Sequence, residues 1–185
     1  MFLVSLMSFA RDSSPVMLDS LYTKFDALSE KHSVFKIEVI GDAYLAVTNL
    51  VNDQKDDHAK CLAEFAIDAV TAAGEVPLDT DDLSRGFVQI RVRLNSGPVN
   101  ADVLGTRLPK YSIFGDTVNT VSRMESTSLP GRIHCSITTT NLLDVQAPNI
   151  LFKSRGHIEI KGEGEMHTCW VNEAQDSNGL AKYAY

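Results

Sequence analysis

Phe35-Lys36-Ile37-Glu38-Val39-Ile40-Gly41-Asp42-Ala43-Tyr44 is the stretch that decides the architecture. Val34 to Val47 is rich in β-formers and alternates in polarity, and Gly41-Asp42 interrupts it between two apolar runs. A Gly-Asp pair in that position predicts a hairpin turn between antiparallel strands. Strict alternation puts Phe35, Ile37 and Val39 on one face, and Lys36, Glu38 and Ile40 on the other. Glu38 then projects away from its apolar neighbours. Asp42 stands at the hairpin tip, where a short carboxylate is open to a hard cation. The same two residues read equally well as an exposed strand position and a turn former.

Helical signals bracket this hairpin. Before it, Leu18, Leu21, Tyr22, Phe25 and Leu28 recur at helical spacing and predict an amphipathic helix over Pro15 to Lys31. After it, Cys61, Leu62, Phe65, Ala66, Ala69 and Val70 form the inner face of a helix from Asp57 to Ala73. Thr80 to Gly86 is polar and acidic, a loop. Phe87 to Leu94 alternates as a strand and runs into the turn Ser96-Gly97-Pro98. Short strands come next at Val99 to Leu104 and Tyr111 to Phe114. A helix from Gly115-Asp116 to Ser126 succeeds them, with Asp116 as the expected N-cap. The pattern closes with a strand at Arg132 to Ile137, a helix at Thr139 to Val145, and strands at Ile150 to Ile160 and Met166 to Val171. This is a mixed α/β sandwich: helices on one or both faces of a mainly antiparallel sheet.

The bulk composition fits one globular domain. The chain has 185 residues, 44% hydrophobic and 22% charged, enough for a real core. A net charge of -7 disfavours a nucleic-acid-binding surface. It leaves a polyanionic nucleotide admissible, because metal ions and a few local cations can neutralise a triphosphate. Cys61, Cys135 and Cys169 are scattered without a CxxC pair, which fits a reducing, cytoplasmic setting with buried thiols. The apolar start, Met1 to Ala10, is far shorter than a membrane span of ~20 residues and lacks the basic flank of a secretory signal. It reads as a buried strand.

Two further stretches bear chemistry. In Tyr111-Ser112-Ile113-Phe114-Gly115-Asp116-Thr117-Val118-Asn119-Thr120-Val121-Ser122-Arg123-Met124-Glu125-Ser126, Asn119 and Arg123 are four apart and share one helix face. An amide and a guanidinium side by side suit the stabilisation of charge at a phosphorus centre. An ordinary solvated helix face gives the same pattern. In Ile158-Glu159-Ile160-Lys161-Gly162-Glu163-Gly164-Glu165-Met166, Lys161 leaves a strand into a Gly-x-Gly turn, where it can meet a phosphate or simply face water.

Together, in this order and spacing, these stretches closely resemble the catalytic domain of class III adenylate and guanylate cyclases. The resemblance runs from about Ser13 to Val171 and includes Ser96-Gly97-Pro98-Val99. It implies a ferredoxin-like fold with added elements in a cyclase domain over residues 1–172, then a tail, 173–185, with little pattern. It implies head-to-tail dimers, of two copies or of two different cyclase domains, with sites at the interface. The implied reaction is attack of the ribose 3′-hydroxyl on the α-phosphorus of a nucleoside triphosphate, releasing pyrophosphate, with two Mg²⁺ or Mn²⁺ ions. Carried over residue by residue, Asp42 is one of two metal-binding aspartates, helped by a backbone carbonyl near the first strand. Asn119 orients the ribose, Arg123 binds the α-phosphate, and Lys161 meets the terminal phosphates. Glu38 and Ser112 hold the base. Adenylate cyclases carry lysine at the Glu38 position, whereas guanylate cyclases carry glutamate. A carboxylate accepts from N1–H and the 2-amino group of guanine, donors that adenine lacks. Ser112 stands where animal guanylate cyclases commonly have cysteine, and its hydroxyl suits guanine O6. GTP is therefore the expected substrate, with an adenylate cyclase as the alternative.

The start departs from the family pattern. Members open with a strand ending in a motif like F-S-D-I-x-G-F-T, whose aspartate is the other metal ligand. Here Phe2 to Ser5 resembles the strand, Ser8 to Pro15 resembles the segment after the motif, and the D-I-x-G-F-T portion is missing. The first helix is also about one turn short. Asp12 lies beyond the expected metal position and takes no role. Arg93 and Asp102 replace glycines of many members and receive no function. Three readings fit this start: a fragment or mis-spliced form of a longer enzyme, in which any membrane or sensor segment would lie; the base-binding half of a heterodimer; or an inactive regulatory module. With one carboxylate lost, a homodimer of this chain is expected to be poorly active.

Overall fold

The structure is a computed structural model that describes residues 1–9 and 15–173. Asp12 and the tail beyond Glu173 lie outside the described residues. The elements in chain order are β1 (Phe2–Phe9), α1 (Pro15–Lys31), β2 (Phe35–Ile40), β3 (Ala43–Thr48), α2 (His58–Ala73), β4 (Ile90–Gly97), β5 (Asn100–Leu104), β6 (Lys110–Phe114), α3 (Asp116–Arg123), β7 (Ile133–Ser136), α4 (Ile137–Gln146), β8 (Phe152–Ile160) and β9 (Gly164–Val171). Seven strands form one sheet in the order β2-β3-β1-β4-β7-β9-β8, and β5 pairs with β6 in a separate hairpin. The β4–β7 pair is parallel and the other pairings are antiparallel. The expected α/β sandwich with a mostly antiparallel sheet is what forms.

Alternation along the central strands sends side chains to two cores. On one face, Met7, Tyr44, Ala46, Val92, Leu94 and Cys135 pack under α1, α2 and α4. Helix α1 contributes Met17, Leu21 and Phe25, each four residues from the next. Helix α2 presents Ala59, Ala63, Ala66, Ala69 and Ala73 with Leu62 and Phe65, a mostly small face that lets the helix lie close to the sheet. On the other face, Val4, Leu6, Leu45 and Val47 meet Ile113 of the small hairpin and Val121 of α3. The sheet is therefore sandwiched, with three helices on one side and α3 plus the β5–β6 hairpin on the other.

The apolar start forms the strand expected of it: β1 runs to Phe9 in the middle of the sheet, between β3 and β4. Two expectations need correction. First, the N-cap of α3 is Gly115, at φ 129°, and Asp116 is the first helical residue. Second, β2 does not alternate strictly. A bulge between Lys36 and Glu38 leaves Phe35 opposite Val47 and Lys36 opposite Ala46, then Glu38 opposite Leu45. The extra residue, Ile37, reverses the sidedness of the rest of the strand. Lys36 faces α1, where its Nζ donates to Asp26 at 2.8 Å. Glu38 faces the opposite way, with Phe35 and toward β6. The hairpin turn itself is as expected, with Gly41 taking the positive φ of 61° that a β-carbon would resist.

Buried polar side chains are concentrated around β7. His134 is fully buried, packed on Trp170 with ring centroids 5.1 Å apart. Its Nε2 accepts from Arg155 Nη1 at 3.2 Å, so the ring proton sits on Nδ1, 3.3 Å from Ser128 Oγ. Burial, then the charges of Arg155 and Arg93, push its pKa down from 6.5 to about 3. The unfolded chain takes up a proton near pH 6.5 that the folded chain refuses until about 3. Stability from this residue is therefore complete above about pH 6.5 and declines as pH falls toward 3, by at most about 1.4 kcal/mol per pH unit. Urea unfolding of the wild type and His134→Gln across this window checks it: the variant should show a shallower dependence on pH.

Candidate active site

The face of the sheet that carries α3 and the β5–β6 hairpin gathers most of the residues singled out in the sequence. Helix α3 is pinned to that face at its first turn. Thr117 Oγ1 donates to Pro98 O at 2.6 Å, and Asn95 Nδ2 donates to Thr117 O at 3.2 Å. Val118 and Val121 turn into the core. The opposite side of the helix then presents Asn119 and Arg123 one turn apart, both exposed.

Arg123 reaches the turn between β8 and β9. Its Nη1 donates to Gly162 O at 3.1 Å and to Glu163 Oε1 at 2.5 Å. This brings together two motifs that lie about forty residues apart in sequence, the helix face and the Lys161-Gly162-Glu163 turn. Lys161 is exposed beside them. Glu163 is mostly covered, with its side chain 14% exposed. The arrangement holds a guanidinium in a fixed place with its side chain 43% exposed, and N–H groups not used by Gly162 and Glu163 can meet a phosphate.

Glu38 forms a second group. The bulge aims it at β6, where it makes an ion pair with Lys110 Nζ and is left 15% exposed. Lys110 and Ser112 are two apart on β6 and share a face. Phe35 and Tyr111 meet edge to face, their centroids 6.1 Å apart, and fasten β2 to the hairpin. Of the two residues chosen from the sequence as a base-holding pair, Glu38 meets β6 at Lys110, and Ser112 lies two residues further along that strand. Lys110 was missed. Its position two residues before Ser112 was the available signal. A pair of acceptor and donor in one half-covered spot suits the paired donors and acceptor on a purine edge.

Asp42 stands exposed at the hairpin tip and joins neither group by a hydrogen bond or ion pair among the described residues. It is near enough to Tyr22 to help hold that phenol's pKa above its ordinary value, after burial, which contributes most. Tyr22 Oη also donates to Gly41 O at 3.4 Å. The second carboxylate implied for a metal site is not found on β1. Met7 pairs with Tyr44, so Ser8 is the residue that comes beside the hairpin tip. Among the described residues, no three His, Cys, Asp or Glu side chains are grouped to hold a metal ion. The donor set here does not fit the two Mg²⁺ or Mn²⁺ ions that the family generally uses.

Comparison with known proteins agrees with this geometry. Residues 6–173 match the family described as adenylate and guanylate cyclase catalytic domain. The guanylate cyclase domain of RhGC from Catenaria anguillulae, solved with GTP, superposes with a TM-score of 0.82 at 34% identity, over 95% of this chain and 97% of that one. A dimeric guanylyl cyclase domain of the RhoGC fusion protein from Blastocladiella emersonii gives 0.76 at 33%, over 92% and 94%. The human guanylate cyclase soluble subunit beta-2 is 45% identical over 155 residues, 84% of this chain. The chain belongs to the adenylate and guanylate cyclase catalytic domain family, whose members are cyclic-nucleotide-forming lyases. It spans 24% of the length of that human relative and 14% of a mouse retinal guanylyl cyclase 2. No helix among the described residues is long and apolar enough to cross a membrane.

A double-mutant cycle checks the Glu38–Lys110 pair. Glu38→Gln and Lys110→Met should couple by roughly 0.5–1 kcal/mol in urea unfolding, the range of a half-exposed ion pair. Additive effects of the two changes would show that the pair is not formed in solution.

Proposed function

We propose that this chain is a guanylate cyclase domain that converts GTP to cGMP and pyrophosphate, and that it supplies the base, ribose and phosphate contacts of an active site shared with a second cyclase domain. The ion pair of Glu38 with Lys110, two residues before Ser112 on β6, supports the guanine reading. Glu38 accepts from N1–H and the 2-amino group, while Lys110 or Ser112 donates to O6. Adenine offers Glu38 no N1–H, which favours GTP over ATP.

Asn119 holds the ribose so that the 3′-oxygen lies in line with the α-phosphorus. The 3′-hydroxyl gives up its proton to water, the O3′–P bond forms, and the bond from the α-phosphorus to the bridging oxygen breaks, its electron pair leaving with pyrophosphate. Negative charge grows on the α-phosphoryl oxygens during this step, and Arg123 is placed to oppose it. Lys161, beside Arg123, takes the terminal phosphates. Among the described residues Asp42 is the metal-binding candidate, and one carboxylate is too few for two hard cations. Residues 1–172 form the catalytic unit, and we place it in the cytosol, where GTP is found.

A second domain is favoured by the surface around this site. Phe35, Ile40, Val103, Leu104, Leu108, Tyr111 and Phe114 are all exposed on or beside β2 and the β5–β6 hairpin. A contiguous apolar area of this kind marks an interface. Its position beside Glu38 would let a partner close the cleft over the nucleotide.

cGMP formation from GTP and Mn²⁺ should be weak for the chain alone and rise on adding a second catalytic domain of the family that carries both metal aspartates. Asn119→Ala or Arg123→Ala in this chain should lower the rate of the mixture by about 10²-fold, the usual loss for a transition-state contact. Preference for ATP over GTP, or no cGMP in either arrangement, would overturn the reading.

A further inference from the structure

Arg93, on β4, is fully buried. It lies opposite Leu6 of β1, on the sheet face that carries α3. Its Nε donates to Leu6 O at 3.2 Å, and its Nη2 donates to Ser8 Oγ at 3.0 Å. Its Nη1 is 3.3 Å from Glu125 Oε1, an ion pair that lacks hydrogen-bond geometry. Ser8 Oγ also donates to Glu125 Oε1, at 3.2 Å. The end of β1 beside the hairpin tip is thus wired to a guanidinium. Burial alone would weaken that charge, while the carboxylates of Glu125 and, more distantly, Asp42 favour it. Arginine stays protonated in such surroundings.

We propose that Arg93 is a built-in cation that stands in for divalent metal at the Asp42 end of this chain, making that end refractory to Mg²⁺ and Mn²⁺. Two oxygens are lost to a metal at once. The strand end offers a hydroxyl, Ser8, instead of a carboxylate, and the Leu6 carbonyl is already engaged by Arg93. A hard cation needs about six oxygen ligands and would sit close to an immobile positive charge. The same guanidinium ties the end of β1 to β4 without any ion. The consequence is directional: of the two composite sites in a head-to-tail pair, the one that uses this chain's Asp42 is silent, and the one that uses its Glu38, Asn119 and Arg123 can work. The inference rests on the cyclase reading for the choice of ions and for the head-to-tail pair. Metal binding and cGMP formation are measured separately, so either can fail alone.

The test is Mn²⁺ binding to the full chain, monitored by the loss of the free-ion electron paramagnetic resonance signal, without nucleotide. Wild type and Asp42→Asn should bind equally weakly. Ser8→Asp combined with Arg93→Gly should bind at least roughly ten-fold more tightly, as added carboxylate and removed guanidinium act in the same direction. Arg93→Met, which drops the charge but keeps bulk, guards against loss of folding in the double variant and should bind more tightly than wild type by a smaller factor. Circular dichroism identifies the variants that fold. Saturable Mn²⁺ binding by wild type that Asp42→Asn abolishes would overturn the proposal, as would folded variants that bind no better than wild type.

Discussion

A single extra residue in an edge strand organises the recognition side of this molecule. Without the bulge at Ile37, Glu38 would fall on the α1 side of the sheet with Lys36, among Asp26 and Tyr44. With it, Lys36 satisfies Asp26 on one face and Glu38 meets Lys110 on the other. Bulges recur beside functional sites because they re-aim one side chain without breaking the sheet. The local geometry of β2 therefore determines whether a carboxylate can face a purine at all.

That geometry also marks the limit of reading by pattern. The hairpin, α1, α2, the helix carrying Asn119 and Arg123, and the closing strands were all legible, because periodicities of 2.0 and 3.6 residues and a Gly-Asp turn leave strong local signals. The facing of Glu38 was not, because an inserted residue leaves alternation looking intact on either side of it. The partnership of Arg123 with Glu163, forty residues on, depends on β8 and β9 folding back toward α3, a tertiary fact with no local trace. Lys110 was overlooked because its role appears only once β6 lies against β2.

The two ends of the face differ in chemistry. Around Glu38, Asn119 and Arg123, side chains are exposed or half-covered and held by partners that a nucleotide could displace. Beside the exposed Asp42, the neighbouring strand end holds the buried side chains of Ser8 and Arg93, tied to the exposed carboxylate of Glu125. Arg93 fills its place on β4 completely, bonded to Leu6 O and Ser8 Oγ.

The central claim is that Glu38 reads the donor edge of guanine, and competition binding of GTP, ITP and ATP to the chain tests it most directly. ITP keeps N1–H and O6 but lacks the 2-amino group. Affinity should fall in the order GTP, ITP, ATP, and Glu38→Ala should bring the three close together. Equal affinities in the wild type, or an order that Glu38→Ala leaves unchanged, would contradict the account.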